Sequence, residues 1–298
     1  MLSCKNLTRS FVDNLLILAK RLDNYLPNER FKNKIMVNAF FEPSTRTSLS
    51  FESAMYKLGG KVITFNRSDS SLTKGETFED TIKTLNNYAD IMVLRHSQKS
   101  FLEKASAIST IPVINAGNGD GEHPTQALID LYTIYRKFNN IENLNFLFIG
   151  DIKHSRTIHS LVDLLKLYPT NKINFLPFKD REPSIDYLYN IGISHTQIVE
   201  DICLTEDEVD ISKFDVVYVT RLQKERSFEG TADIIVNKKF MEGSKEDCII
   251  MHPLPRNEEL SADLDDDKRS VYFDQMRLGV EMRMALLKSI IEESSPKM

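Results

Sequence analysis

The sequence predicts an α/β fold of two similar domains, each a mostly parallel sheet flanked by helices. Three observations predict it. Short β-rich runs alternate with helical patterns from end to end, the pattern of parallel sheets covered on both faces. The chain has 298 residues, more than one ordinary core holds. A polar stretch, Lys137–Asn143, divides the pattern into two halves of like design.

In the first half the expected strands are Ile35–Phe40, Lys61–Phe65, Asp90–Leu94 and Ile111–Ile114. In the second they are Asn145–Ile149, Lys172–Leu176, Asp215–Val219 and Cys248–Met251. Intervening segments place apolar residues at i, i+3, i+4 and i+7, the spacing of one buried helix face. Phe51/Ala54/Met55/Leu58, Leu128/Leu131/Tyr132/Tyr135 and Ile158/Leu161/Val162/Leu165 are examples. The helix that ends at the polar stretch is expected to bridge the domains. The Met282–Ile291 pattern is helical and is expected to return to the first domain. The predicted domains are therefore 1–137, completed by about 278–298, and 138–277.

Composition narrows the function. With 41% hydrophobic and 27% charged residues and no run of 18 apolar ones, a soluble chain without a membrane span is expected. Met1 to Ser10 lacks the apolar core of a signal peptide. Cys4, Cys203 and Cys248 lie far apart with no CxxC, which argues against a disulfide framework or a zinc site and for a reducing, cytoplasmic compartment. A net charge of -5 without a Lys/Arg block argues against nucleic acid, so a bound anion is expected to be small and held by a few placed cations.

Ligands of open α/β sheets bind beyond the carboxyl ends of the strands. The residues there are Glu42–Ser48, Arg95-His96, Asn115–Gln126, Asp151/Lys153/Arg156, Thr220–Arg226 and His252–Arg256. Arginine recurs at these ends, which a solvated surface of an acidic protein does not explain. In Ser44-Thr45-Arg46-Thr47-Ser48, an N-cap serine would start a helix whose first N–H groups converge on an anion, with a forked guanidinium and hydroxyls beside them. This reads as a phosphate cradle without glycines; the plainer alternative is an ordinary capped helix. His123 heads another helix, where the dipole favours neutral imidazole able to polarise a carbonyl; the plainer alternative is a capping or buried histidine. His96, His154, His159 and His195 carry no assignment. No GxGxxG follows Gly150-Asp151 and no GxxxxGK[ST] occurs, so neither a dinucleotide nor a nucleoside triphosphate is expected, and no cofactor or metal is implied. With no covalent nucleophile evident, the site suits direct transfer between two bound anions by positioning and electrostatics.

Seven motifs then carry a close resemblance to the catalytic chains of the aspartate carbamoyltransferase (aspartate transcarbamoylase) family. They run, in that family's order, FFEPSTRTSLSFESAMYKLGG from Phe40, SSLTKGETFEDTI from Ser70, LRHSQ from Leu94, PVINAGNGDGEHPTQALIDLYTI from Pro112, GDIKHSRTIHSL from Gly150, YVTRLQKER from Tyr218 and MHPLPR from Met251. The resemblance spans about Lys34 to Lys288. It implies transfer of the carbamoyl group of carbamoyl phosphate to L-aspartate, an early step of de novo pyrimidine biosynthesis. It implies that Ser44, Thr45, Arg46 and Thr47 hold the phosphate. Thr47, Arg95 and His123 would polarise the carbamoyl oxygen, and Gln126 with the backbone of Leu254 and Pro255 would orient its amide. Arg156, Arg221 and Gln223 would bind the carboxylates of aspartate. Lys74, with Ser70 or Ser71 before it, would reach in from a neighbouring subunit of a homotrimer with shared active sites. Domain closure would let Glu42 bridge Arg156 and Arg226, and Lys153 pair with Glu225. A regulatory subunit is a further partner that some relatives have.

The chain departs from the family at Ser48, where arginine is common, at Ser97, and at His154-Ser155 before Arg156. Ser48 is expected on the outward helix face. The stretch from Arg226 to His252 is short for the family and has no tyrosine. Three other readings stand beside this one. An ornithine-type carbamoyltransferase would need acidic or thiol groups at the second-substrate site, where Arg221 and Arg256 are cationic. A non-catalytic homologue would be expected to lack one of Arg46, Lys74, Arg95 or His123. A dinucleotide enzyme lacks its fingerprint.

Overall fold

The structure, a computed structural model, describes residues 1, 3–22, 31–66, 71–192, 203–223 and 232–294. The chain divides into two compact units, Met1–Tyr132 with Met276–Met298, and Thr133–Gln275. Each holds one four-stranded, all-parallel sheet.

In the first unit the strands are β1 (Ile35–Phe40), β2 (Lys61–Asn66), β3 (Ile91–His96) and β4 (Val113–Asn118), in the order β2-β1-β3-β4. The described helices are α1 (Arg9–Arg21), α2 (Thr45–Leu58), α3 (Phe78–Asn86), α4 (Lys99–Ile108) and α5 (Pro124–Phe138), whose last turns enter the second unit. Period-two alternation gives each strand two apolar faces. One face, Val37, Ala39, Met92 and Leu94, joins Phe78, Ile82 and Leu85 of α3 and Leu102 and Ala105 of α4 in a single core. The apolar stripe on α2 is buried at Phe51, Ala54, Met55 and Leu58, as its spacing predicts. Asn38 is a buried polar residue inside β1; its amide donates to the Ser48 carbonyl at 3.3 Å and to Glu52 Oε1 at 3.2 Å, fixing α2 over the sheet.

The second unit repeats the plan with β5 (Asn145–Gly150), β6 (Lys172–Pro177), β7 (Val216–Val219) and β8 (Ile249–Met251), in the order β6-β5-β7-β8. Its helices α6 (Arg156–Leu165) and α7 (Ile185–Asn190) both start with a serine whose hydroxyl accepts a first-turn N–H. Helix α8 (Asp274–Ser294) then leaves this unit, and from Met276 onward belongs to the first.

Two strands run two residues or more past their expected ends. β3 continues through Arg95 and His96, and β4 through Asn118, so Asn115–Asn118 is strand rather than loop. The apolar signal stops at Leu94 and Ile114, but the sheet does not: all six residues of each strand are buried, and Asn115 Oδ1 accepts the Gly117 N–H at 2.8 Å.

Candidate active site

The carboxyl ends of the first unit's strands gather the cradle, Arg95 and His123. Ser44 sits at the N-cap of α2 with extended backbone, but its side chain makes no cap hydrogen bond. The first backbone bond of the helix is Ser48 N–H to Ser44 O at 3.2 Å, so the N–H groups of Thr45, Arg46 and Thr47 precede the ladder. An N-cap hydroxyl not spent on the helix, three leading amides and the exposed Arg46 side chain form an anion-binding end backed by the helix dipole. Thr47 is buried against the sheet. Ser48 is half-buried rather than outward, because its hydroxyl donates to Glu52 Oε1 at 3.0 Å and its carbonyl accepts from Asn38.

Arg95 is the penultimate residue of β3 and is buried. Nη1 donates to the Ala116 carbonyl at 3.3 Å, Nη2 donates to Glu42, and Nε is buried without a partner among the described residues. Glu42, expected as a bridge to Arg156 and Arg226, thus pairs inside its own unit; Arg226, with Lys224 and Glu225, lies outside the described residues. His96 is structural. Its Nδ1 accepts the Gln98 N–H at 2.9 Å and its ring stacks on Phe101 with centroids 4.1 Å apart. Gly119 draws the next loop against this one: at φ 62°, a Cβ there would sit 2.0 Å from the Ser97 carbonyl oxygen. That loop delivers the buried His123 to the start of α5, where its carbonyl accepts the Gln126 N–H at 3.0 Å and Nδ1 lies 3.4 Å from the Thr125 hydroxyl. Lys74 is exposed, on a 3-10 turn over Ser71–Lys74; Ser70 lies outside the described residues, and so does the side chain of Ser71.

The second unit gathers Arg156, Arg221 and Gln223 at its own strand ends. The organiser is Asp151, to which the sequence assigns no role. Fully buried at 0% exposure, it accepts the His154 N–H at 3.2 Å, faces His154 Nδ1 at 3.0 Å and accepts the Gln223 N–H at 3.0 Å. One carboxylate therefore ties the loop before Arg156 to the segment of Arg221 and Gln223. Ser155 caps α6 and reaches the Thr220 hydroxyl at 3.3 Å, so the unusual His154-Ser155 pair has definite partners here. Gly150 permits the approach: at φ 121°, a Cβ would meet the Thr220 carbonyl oxygen at 2.1 Å. Arg221 Nη1 donates to the Leu222 carbonyl at 3.1 Å.

The His252–Arg256 turn is held from beneath. The His252 N–H donates to Gln275 Oε1 at 3.0 Å, and the Leu254 N–H donates to His252 Nδ1 at 2.8 Å. The other ring nitrogen must then carry the proton, which Nε2 donates to Glu259 Oε1 at 3.0 Å. Leu254 adopts φ 54°, a conformation that costs a residue with a side chain about 1 kcal/mol or more. Arg256 anchors the far end on Asp265 and holds that carboxyl down to about 2, with help from the Tyr272 hydroxyl.

Burial holds His252 below its ordinary value, against the opposing pull of Glu259. The histidine hydrogen bond leads the influences that hold Glu259 low against its own burial. Both folded-state values lie below the unfolded ones, so the stability this pair contributes is present above about pH 6.5 and is lost as pH falls. Ring ¹⁵N NMR is expected to show His252 neutral and Nε2-protonated at pH 7.5; a doubly protonated ring or an Nδ1-protonated one there would contradict the arrangement.

Among the described residues no group of three or more His, Cys, Asp and Glu is placed to hold a metal ion, and no helix is long and apolar enough to cross a membrane. Residues 1–136 match the family domain described as aspartate/ornithine carbamoyltransferase, carbamoyl-P binding, and residues 142–290 match its Asp/Orn binding domain. The aspartate carbamoyltransferase catalytic subunit of Methanocaldococcus jannaschii is 39% identical, over 99% of this chain and 98% of that protein. A solved structure of the M. jannaschii catalytic subunit is similar at TM-score 0.89 and 38% identity, over 100% of this chain and 99% of that one. Aspartate transcarbamoylase from Trypanosoma cruzi, solved in complex with carbamoyl phosphate and aspartate, is similar at TM-score 0.86 and 38% identity, over 97% of this chain and 95% of that one.

Proposed function

The chain belongs to the aspartate/ornithine carbamoyltransferase family, and from that premise we propose that it transfers the carbamoyl group of carbamoyl phosphate to the amine of L-aspartate, giving N-carbamoyl-L-aspartate and phosphate. One observation carries the choice of substrates: the chain matches, over nearly its whole length, an enzyme solved with carbamoyl phosphate and aspartate together.

In this reading Ser44, Thr45, Arg46 and Thr47 hold the phosphate, whose charge grows as it leaves. The leading amides of α2 and the forked guanidinium of Arg46 suit that growing charge. Thr47, Arg95 and His123 stabilise the oxyanion that forms when the amine attacks the carbamoyl carbon. Gln126 and the backbone carbonyls of Leu254 and Pro255 accept hydrogen bonds from the carbamoyl NH₂. Arg156, Arg221 and Gln223 take the two carboxylates of aspartate, the guanidinium fork matching a carboxylate better than a lysine would. The amine must be neutral to attack, and departing phosphate is basic enough to take its proton, so no dedicated base is required. Catalysis is then positioning plus charge stabilisation.

The finer parts of the reading are a homotrimer in which Lys74 enters the site of a neighbouring copy, a place in pyrimidine synthesis and a cytoplasmic setting. Residues 1–137, completed from about 278, serve carbamoyl phosphate, and 138–277 serve aspartate. A separate regulatory chain is the further partner this reading allows.

The test is a direct assay of the purified chain with carbamoyl phosphate and either aspartate or ornithine. Turnover with aspartate is expected; turnover with ornithine alone would refute the substrate assignment. Arg221→Ala is expected to raise the KM for aspartate at least tenfold, and unchanged aspartate saturation would detach that segment from the second substrate.

A further inference from the structure

A glutamine side chain presents a donor at one end and an acceptor at the other, so its use depends on which end is already taken. Gln126 Nε2 donates to Asp130 Oδ1 at 2.8 Å, one helical turn along α5. Asp130 is fully buried at 0% exposure, and an ionised carboxylate only accepts. The nitrogen end of Gln126 is therefore committed, and the carbonyl end is left for a ligand.

A buried carboxylate needs a counter-charge, because an unpaired one is costly. A positive charge that acts on Asp130 comes from the C-terminal helix. Arg283 of α8 is buried, its Nη1 donates to the Ser50 hydroxyl at 2.8 Å, and its guanidinium lies 4.9 Å from the centroid of the Phe51 ring. Burial pushes this arginine down to about 9, and the charge of Asp130 acts against that shift. Gln126 bonds to Asp130 along α5, and Arg283 of α8 bonds to Ser50 of α2, all inside the first unit.

We infer that Asp130 is a positioning residue that fixes the amide of Gln126 as a one-way acceptor toward the NH₂ of the carbamoyl group. The inference rests on the assignment of Gln126 to that NH₂ given above. Without Asp130 the amide can turn over and present its own NH₂ to the substrate's, donor against donor.

The experiment uses the full chain and two ligands that differ only at this group: carbamoyl phosphate as substrate, and acetyl phosphate, with methyl in place of NH₂, as competitor. Asp130→Asn keeps the size but replaces the charged, acceptor-only partner of Gln126 with an amide that offers either an oxygen or an NH₂. It is expected to raise the KM for carbamoyl phosphate about tenfold, while the inhibition constant of acetyl phosphate stays within about twofold. In a Gln126→Ala background the same change is expected to add less than about twofold. Equal losses for both ligands, or penalties that multiply in the double variant, would mean that Asp130 is merely structural and would overturn the proposal. A raised KM in Gln126→Ala with an unchanged one in Asp130→Asn would overturn the positioning role alone. An unchanged KM in Gln126→Ala would remove the assignment of Gln126 and the proposal with it. Should Asp130→Asn fail to fold, Asp130→Glu keeps the charge beside Arg283 but moves the acceptor, and the same split between the two ligands is expected.

Discussion

Arg46→Ala is expected to lower kcat by about 10³-fold, roughly 4 kcal/mol of transition-state stabilisation. The size follows from what stays behind. The leading amides of α2 remain, so carbamoyl phosphate is expected still to bind; the forked donor proposed to meet the phosphate's growing charge is gone. Arg46→Lys is expected to recover only part of the loss, because an ammonium is a point charge without the planar fork. The variant also reports on assembly. Mixed with Lys74→Ala and allowed to exchange subunits, Arg46→Ala is expected to regain activity, since a site with its own Arg46 and a neighbour's Lys74 is intact. Steady-state rates before and after mixing check both claims, and exchange without recovery counts against sharing.

Asp151→Ala is expected to cost about 10²-fold in kcat/KM for aspartate while leaving the KM for carbamoyl phosphate within about twofold. The buried carboxylate accepts the N–H groups of His154 and Gln223, so its loss frees both segments that carry the arginines proposed to bind aspartate. Displacements near 1 Å at such groups are worth that much. Separate titrations of the two substrates decide it: equal losses for both would indicate general unfolding rather than a loosened aspartate site.

Much of this architecture is legible in the sequence because period is a local property. The strand Ile35–Phe40 and the apolar stripe from Phe51 to Leu58 can each be read from a short window. The ends of β3 and β4 cannot, because Asn115 and Asn118 break the apolar run and Arg95 takes its partners, Glu42 and Ala116, from far along the chain. The cradle at Ser44–Thr47 is contiguous and so visible. The spent or unspent state of the Ser44 hydroxyl is not, since N-cap preference alone predicts a bond that the helix does not make. Hardest to read are the residues that hold others in place. Asp151 meets Gln223, His252 meets Glu259 and Gln275, and Asp130 interacts with Arg283, each pair set by tertiary approach rather than by motif.

The course of α8 has a consequence for how the chain is made. The first unit takes Arg283 and the helix around it from the far end of the sequence, with the whole second unit in between. A ribosome therefore releases the sheet β2-β1-β3-β4 long before the helix that completes it, while the second unit emerges as one continuous stretch. During synthesis the second unit can finish first, and the earlier one waits with an apolar face uncovered. Chains cut short just before α8 would expose that face permanently, which makes them natural clients for chaperones and proteases.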